Sequence, residues 1–308
     1  MTTDLYATAT GLIERSAAAY AAGVPEGARD NGFFGPASVT WRVSADLASP
    51  VAGLRSLLMQ ALHPLAIPGV DQHTGWRRDP VGRFAATSAY LATITFGERA
   101  AAARAAARVR RIHDRVRGTD AVTGQPYAAG DPGLLLWVHA ALVDSVVAAA
   151  SLVGTALAAG DSNSYIAEMV TAAELTGVPR PLVPSSVPEL DLYVASVRPG
   201  LRCTPAAAES MAYLLDPPRL DEDTAEIWHD VRDAAVAALP RWARAHRGFR
   251  HTAGRQGERG QHRVAVAGPA AGRAFLDAGA FPEISYRSEL LAWVRTGWRP
   301  SATCTSRN

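Results

Sequence analysis

The chain has 308 residues, 48% of them apolar, with 31 basic against 29 acidic side chains and a net charge of +2. Apart from histidine every basic residue is Arg, and there is no Lys anywhere; this excludes a P-loop, a protein kinase and Schiff-base or pyridoxal chemistry, each of which needs a Lys amine. The charge balance gives no global case for nucleic acid or a membrane surface, and Cys203 and Cys304 have no disulfide-framework or zinc-like spacing.

The N-terminal run MTTDLYATATGLIERS carries Asp4 and Glu14 and has no basic segment ahead of an apolar one, so it does not read as a signal peptide and a reducing cytoplasm is expected. A short helix is predicted over 5–22, then turn chemistry over 23–36 around NGFFGP. Ser49-Pro50 starts a helix that carries Leu54, Leu57, Leu58 and Ala61 and stops at His63-Pro64. Residues 68–80 read as a turn-rich connection. A helix over 81–95 follows, and then a long Ala/Arg helix over 98–117, with Glu98 at its start, arginines at its end and Gly118 as C-cap.

Asp131-Pro132 is an N-cap followed by proline at the first helical position. The helix it opens, 134–157, is apolar nearly all round. It has the length of a membrane span, but His139 and Asp144 lie inside it, and a central Asp costs about 2.5–3.5 kcal/mol on insertion scales. A buried core helix is therefore expected, with no membrane span. Further helices are predicted over 161–176, 189–198, 204–215 and 221–245, with a Pro-rich connector over 180–188. Strand-like alternation is scarce, so the fold class is all-α. From Arg241 to Arg273 eight arginines face one acid, Glu258. Residues 246–308 read as a solvated Arg/Gly-rich tail; the competing reading, a polyanion-binding segment, has only Trp242 and Phe249 nearby as stacking aromatics, and no nucleic-acid partner is expected.

No GxSxG, HExxH or GxGxxG signature is present. In RVRRIHDRVRG, His113 shares a helical stripe with Ala102, Ala106, Val109 and Val116, while Arg108, Arg111 and Arg115 fall on the other side. An imidazole on a face of small residues is either a satisfied core histidine or the iron ligand of a flat cofactor. His139, between Leu135 and Leu142, competes for the same roles. Arg83 and Thr87 stand four apart on one face with Tyr90 and Leu91. An Arg on a core-like face needs an anionic partner: a carboxylate of the protein, a cofactor carboxylate, or negative charge developing on dioxygen.

The runs NGFFGPASVTWRV, LLMQALHPLAIPGVDQHTGW, DPVGRFAATSAYLATITFG, RVRRIHDRVRG and YAAGDPGLLLWVHAALVDS, in this order, resemble the MpaB-like oxygenase family related to the latex clearing protein. The resemblance covers about residues 30–200 and fades before the Arg-rich tail. It implies an all-helical domain, here 1–245, enclosing a haem b pocket, with His113 as the proximal iron ligand and Arg83 and Thr87 as the distal pair. It also implies a haem-dependent oxygenase that uses dioxygen or peroxide on a small apolar or isoprenoid-like substrate. Where the latex clearing branch has a Lys able to cap the iron, this chain has Ala86, so that cap is absent. The branch's distal Glu has no obvious counterpart; Asp71, His73 and Asp79 stand in the region, with His73 the preferred base. The alternatives are a non-catalytic haem carrier or sensor using the same pocket, and a haem-free protein acting through its tail.

Overall fold

The computed structural model describes residues 32–46, 48–73, 80–120, 124–153, 157–158, 160–217 and 222–246. The expected helix over 5–22 and almost all of the tail lie outside the described residues. The fold is all-α, with one two-stranded ribbon among the described residues.

The chain enters through the NGFFGP turn, where Gly32 and Gly35 both have positive φ, and then forms α1 (Val39–Ser44). Ser38 Oγ caps α1 by accepting from Trp41 N–H at 3.0 Å. The Glu168 carboxylate, from a distant helix, accepts from Val39 and Thr40 N–H at 3.2 and 2.7 Å. Together these satisfy three of the donors that a helix start leaves without partners.

Helix α2 (Ser49–Gln60) begins at the Ser49-Pro50 signal. Helix α3 (Ala66–His73) occupies part of the stretch expected to be turn-rich. Pro68 sits in its first turn, where a missing N–H costs nothing, so Pro-Gly does not end the helix here. Helix α4 (Pro80–Phe96) and helix α5 (Arg99–His113) follow, joined at Gly97-Glu98. A Cβ on Gly97 would stand 2.5 Å from the Thr93 carbonyl oxygen, so the tight turn requires glycine.

The predicted run of α5 to residue 117 is corrected. The helix stops at His113, and Arg117–Thr119 form strand β1, antiparallel to β2 (Pro126–Ala128). Gly118 is not a helix cap. A Cβ there would lie 2.6 Å from Tyr127 Oη, so glycine is needed for the close approach of the two strands.

Helix α6 (Pro132–Val153) starts as expected, with Asp131 Oδ1 accepting from Gly133 and Leu134 N–H at 2.9 and 3.1 Å. Among the described residues, Pro132–Leu152 alone is long and apolar enough to cross a bilayer. Here it is the central helix. It packs along α2, against α7 (Asp161–Thr176) and against α10 (Glu222–Ala238). Trp137 and Ala141 of α6 interlock with Leu54, Leu58 and Met59 of α2 and Ala235 of α10 in one apolar cluster. Its Asp144 is paired: Arg55, 3% exposed, reaches the Asp144 carboxylate at 2.7 Å, Ser145 Oγ at 2.7 Å and the Ala238 carbonyl at 3.0 Å.

Helices α8 (Val187–Val197) and α9 (Pro205–Leu215) follow the predicted spans closely. The predicted 221–245 helix is broken at Leu239-Pro240 into α10 and the short α11 (Arg241–Arg244), since proline cannot continue the hydrogen-bond ladder.

Candidate active site

The α4–α5 hairpin sets the site's position. Its two-residue turn makes the helices antiparallel neighbours. Arg83 and His113 stand about 21 and 24 Å from the turn along their helices, at 1.5 Å per residue. Both therefore sit at the same open end of the hairpin. The Arg83 side chain lies outside the described residues. Thr87, one turn further in, is exposed rather than on a buried face, as is Ala86.

His113 is the last residue of α5. Ala102 and Ala106 below it on the stripe are fully buried, while Arg108, Arg111 and Arg115 are exposed as the periodicity requires. The His113 ring is half-exposed, but its Nδ1 is buried. It borders a small pocket of about 170 Å³ where three helix ends meet. Arg110, His113 and Asp114 come from the end of α5, Gly130 and Leu135 from the start of α6, and Thr176 and Gly177 from the end of α7. Close by in sequence, Ile112 is 50% and Val138 36% exposed.

His139 lies one turn beyond Leu135 on the same face of α6. Its side chain is half-buried, with enough protein packed around it that burial governs its titration. Burial pushes its pKa down to about 4, so the ring is neutral at physiological pH. Tyr90 of α4, half-buried, is pushed up to about 12 by burial, against the opposing pull of the Arg110 charge. The phenol therefore stays protonated.

His73 Nε2 is 3.0 Å from the Arg117 carbonyl oxygen, so Nε2 donates and Nδ1 keeps the lone pair; the ring meets Tyr127 edge-on at 6.2 Å. Tyr127, 5% exposed, donates from Oη to Gln72 Oε1 at 2.8 Å. Gln72, His73, Tyr127 and Gly118 thus clip α3 to the ribbon that follows His113. The clip fixes the chain on both sides of the hairpin's open end.

Residues 41–271 match the family described as ER-bound oxygenase mpaB/B′/rubber oxygenase, catalytic domain. The chain belongs to this family. No curated protein and no solved structure gives a significant match. The family match begins after the NGFFGP turn and continues past Arg241, beyond the reach of the motifs recognisable by eye. It makes the chain a member of an oxygenase family, and so implies a substrate and oxygen in general terms.

Within this oxygenase domain the structure brings His113 to the corner that Leu135 occupies, one turn from His139, and places residues 83 and 113 at one end of the hairpin. It ties His73 to the ribbon through Arg117, with Nδ1 as the ring's acceptor nitrogen. Sequence periodicity misses Arg110, whose signal is its i−3 spacing from His113. It also misses the buried Arg55, whose partner Asp144 is remote in sequence.

Proposed function

We propose that this protein is a haem b-dependent oxygenase that uses dioxygen or peroxide on a small apolar or isoprenoid-like substrate. The observation that carries the proposal is His113, an imidazole at a helix end with one nitrogen buried, set among small residues at an open corner of an oxygenase-family domain. Among the described residues no cluster of three or more His, Cys, Asp or Glu could hold a bare metal ion. A single imidazole suits a metal whose remaining ligands come from an organic frame. The donor set therefore fits a haem.

Bound there, a haem would supply the redox chemistry that activates dioxygen or peroxide. His113 would hold the iron through an imidazole nitrogen. Arg83, at the same end of the hairpin, would stabilise negative charge on the reacting oxygen, and the Thr87 hydroxyl would orient that oxygen or a water. His139 and Tyr90, both uncharged at neutral pH, would keep their part of the wall compatible with an apolar substrate. Ala86 places no amine near the iron's open side.

The test is turnover: haem-loaded protein supplied with an apolar alkene and dioxygen, or with peroxide, should oxidise the alkene, and Arg83→Ala should slow this at least about tenfold. Haem uptake without any turnover, indifferent to Arg83→Ala, would identify a carrier or sensor instead.

A further inference from the structure

The pocket beside His113 contains a cation that the roles above do not use. Arg110 lies one helical turn before His113 on α5 and borders the same pocket. One of its guanidinium nitrogens, Nη1, donates to the Leu175 carbonyl at the end of α7. Arg110 is thereby anchored against a helix C-terminus, which also favours a positive charge. A guanidinium carries five N–H donors, so this anchor leaves most of them for another partner.

The surroundings are shaped for such a partner. Gly177 turns the chain away with φ +108, a conformation that favours glycine, and the position of its missing Cβ is in ordinary contact with Arg110 Cδ at 3.5 Å. Thr176 has its hydroxyl committed to the Ala173 carbonyl at 2.8 Å and brings no charge to the pocket. Asp114 carries the negative charge on the wall, and it is exposed, where water and salt screen it, whereas Arg110 is half-buried. A fixed, partly desolvated guanidinium beside an imidazole is a site for a planar carboxylate held bidentately.

We propose that this pocket is a carboxylate subsite, in which Arg110 pairs with an ionised propionate of the haem that His113 holds. The inference rests on the haem reading above. It gives the two arginines different roles, with Arg110 anchoring the cofactor's acidic edge at the solvent-facing corner and Arg83 left for the reacting oxygen. Cofactor retention and turnover then depend on different residues.

The experiment loads the full chain with haem b or with haem b dimethyl ester, whose propionates carry no charge, and follows the loss of each to excess apomyoglobin. From the unaltered chain the ester should leave faster, by on the order of tenfold or more. Arg110→Gln should raise the haem rate toward the ester rate and leave the ester rate unchanged. Arg110→Lys keeps the charge and should keep most of the difference, which also covers the case in which Arg110→Gln fails to fold. Equal rates for haem and ester in the unaltered chain overturn the subsite. So does an equal acceleration of both by Arg110→Gln, the result expected if the Leu175 contact serves folding alone. Benzoate bound by the unaltered chain but not by Arg110→Gln, with haem and ester leaving alike, would identify a free carboxylate as the ligand and overturn the propionate assignment. A chain that takes up no haem at all fails at His113, and both readings fall together.

Discussion

Two faces of α6 are built differently. On one face α6 is locked against α2 and α10: Trp137, Leu58 and Met59 are fully buried, and Asp144 is paired with Arg55. On another face the same helix leaves Val138 and His139 with accessible surface, and Leu135 borders the pocket beside His113. In the first region Arg55, Asp144 and Ser145 hold one another within hydrogen-bond distance. In the second, polar groups and open apolar surface stand together, as a binding site requires and a core forbids. A long apolar helix can thus serve as scaffold on one face and as wall on another.

The contrast can be broken most forcefully in the locked region. Leu58→Ala, at a fully buried position, should cost about 2–5 kcal/mol, measured by urea unfolding. Arg55→Ala would remove a buried guanidinium and leave Ser145, the Ala238 carbonyl and the partly exposed Asp144 carboxylate without it, and should cost about 1.5–3 kcal/mol in the same assay. Replacing both partners with apolar residues of similar size should recover much of that loss. At the clip, Gly118→Ala must push Tyr127 aside and should cost about 1–3 kcal/mol, with weaker haem retention as a second readout. At the open corner His113→Ala should change stability by less than about 1 kcal/mol and yet abolish haem binding, the reverse of the locked region's behaviour.

A smaller effect concerns pH. His139 binds its proton in the folded chain only near pH 4, whereas in the unfolded chain it does so near 6.5. Between those values the unfolded state holds more protons, so stability should be flat above about pH 6.5 and decline as the pH falls toward 4. His63, also lowered by burial, adds to the same slope. His139→Gln should flatten part of it, seen in urea midpoints measured across that range. An unchanged slope would mean that His139 is not enclosed.

What is legible in the sequence is local. The Asp131-Pro132 start, the Ser49-Pro50 start and the Ala102–Ala106–His113 stripe all follow from spacings within one element, and the structure reproduces them. The departures depend on remote partners. Gly118 has the signature of a helix stop, because Arg-Gly after an Ala/Arg run usually is one; its strand exists only through pairing with Tyr127 and its neighbours. Pro68-Gly69 has the signature of a turn, but Tyr127 Oη donates to the Pro68 carbonyl at 3.3 Å and a Cβ on Gly69 would already touch Val116 and Tyr127, so tertiary contact outweighs the local signal. The rule that a buried Arg needs an anion points, on spacing alone, to Arg83; the structure displays it at Arg55, whose partner no local pattern reveals. Arg110 is hidden from spacing for the same reason, since its value depends on the ends of α6 and α7.

The most direct measurement is the absorption spectrum of the full chain purified with haem supplied, beside that of His113→Ala. The prediction is a Soret band from one bound haem in the unaltered chain, lost or strongly shifted in the variant while the far-ultraviolet helical signal stays the same. No Soret band in the unaltered chain, or one that survives His113→Ala unchanged, would contradict the assignment of His113 and with it the proposed function.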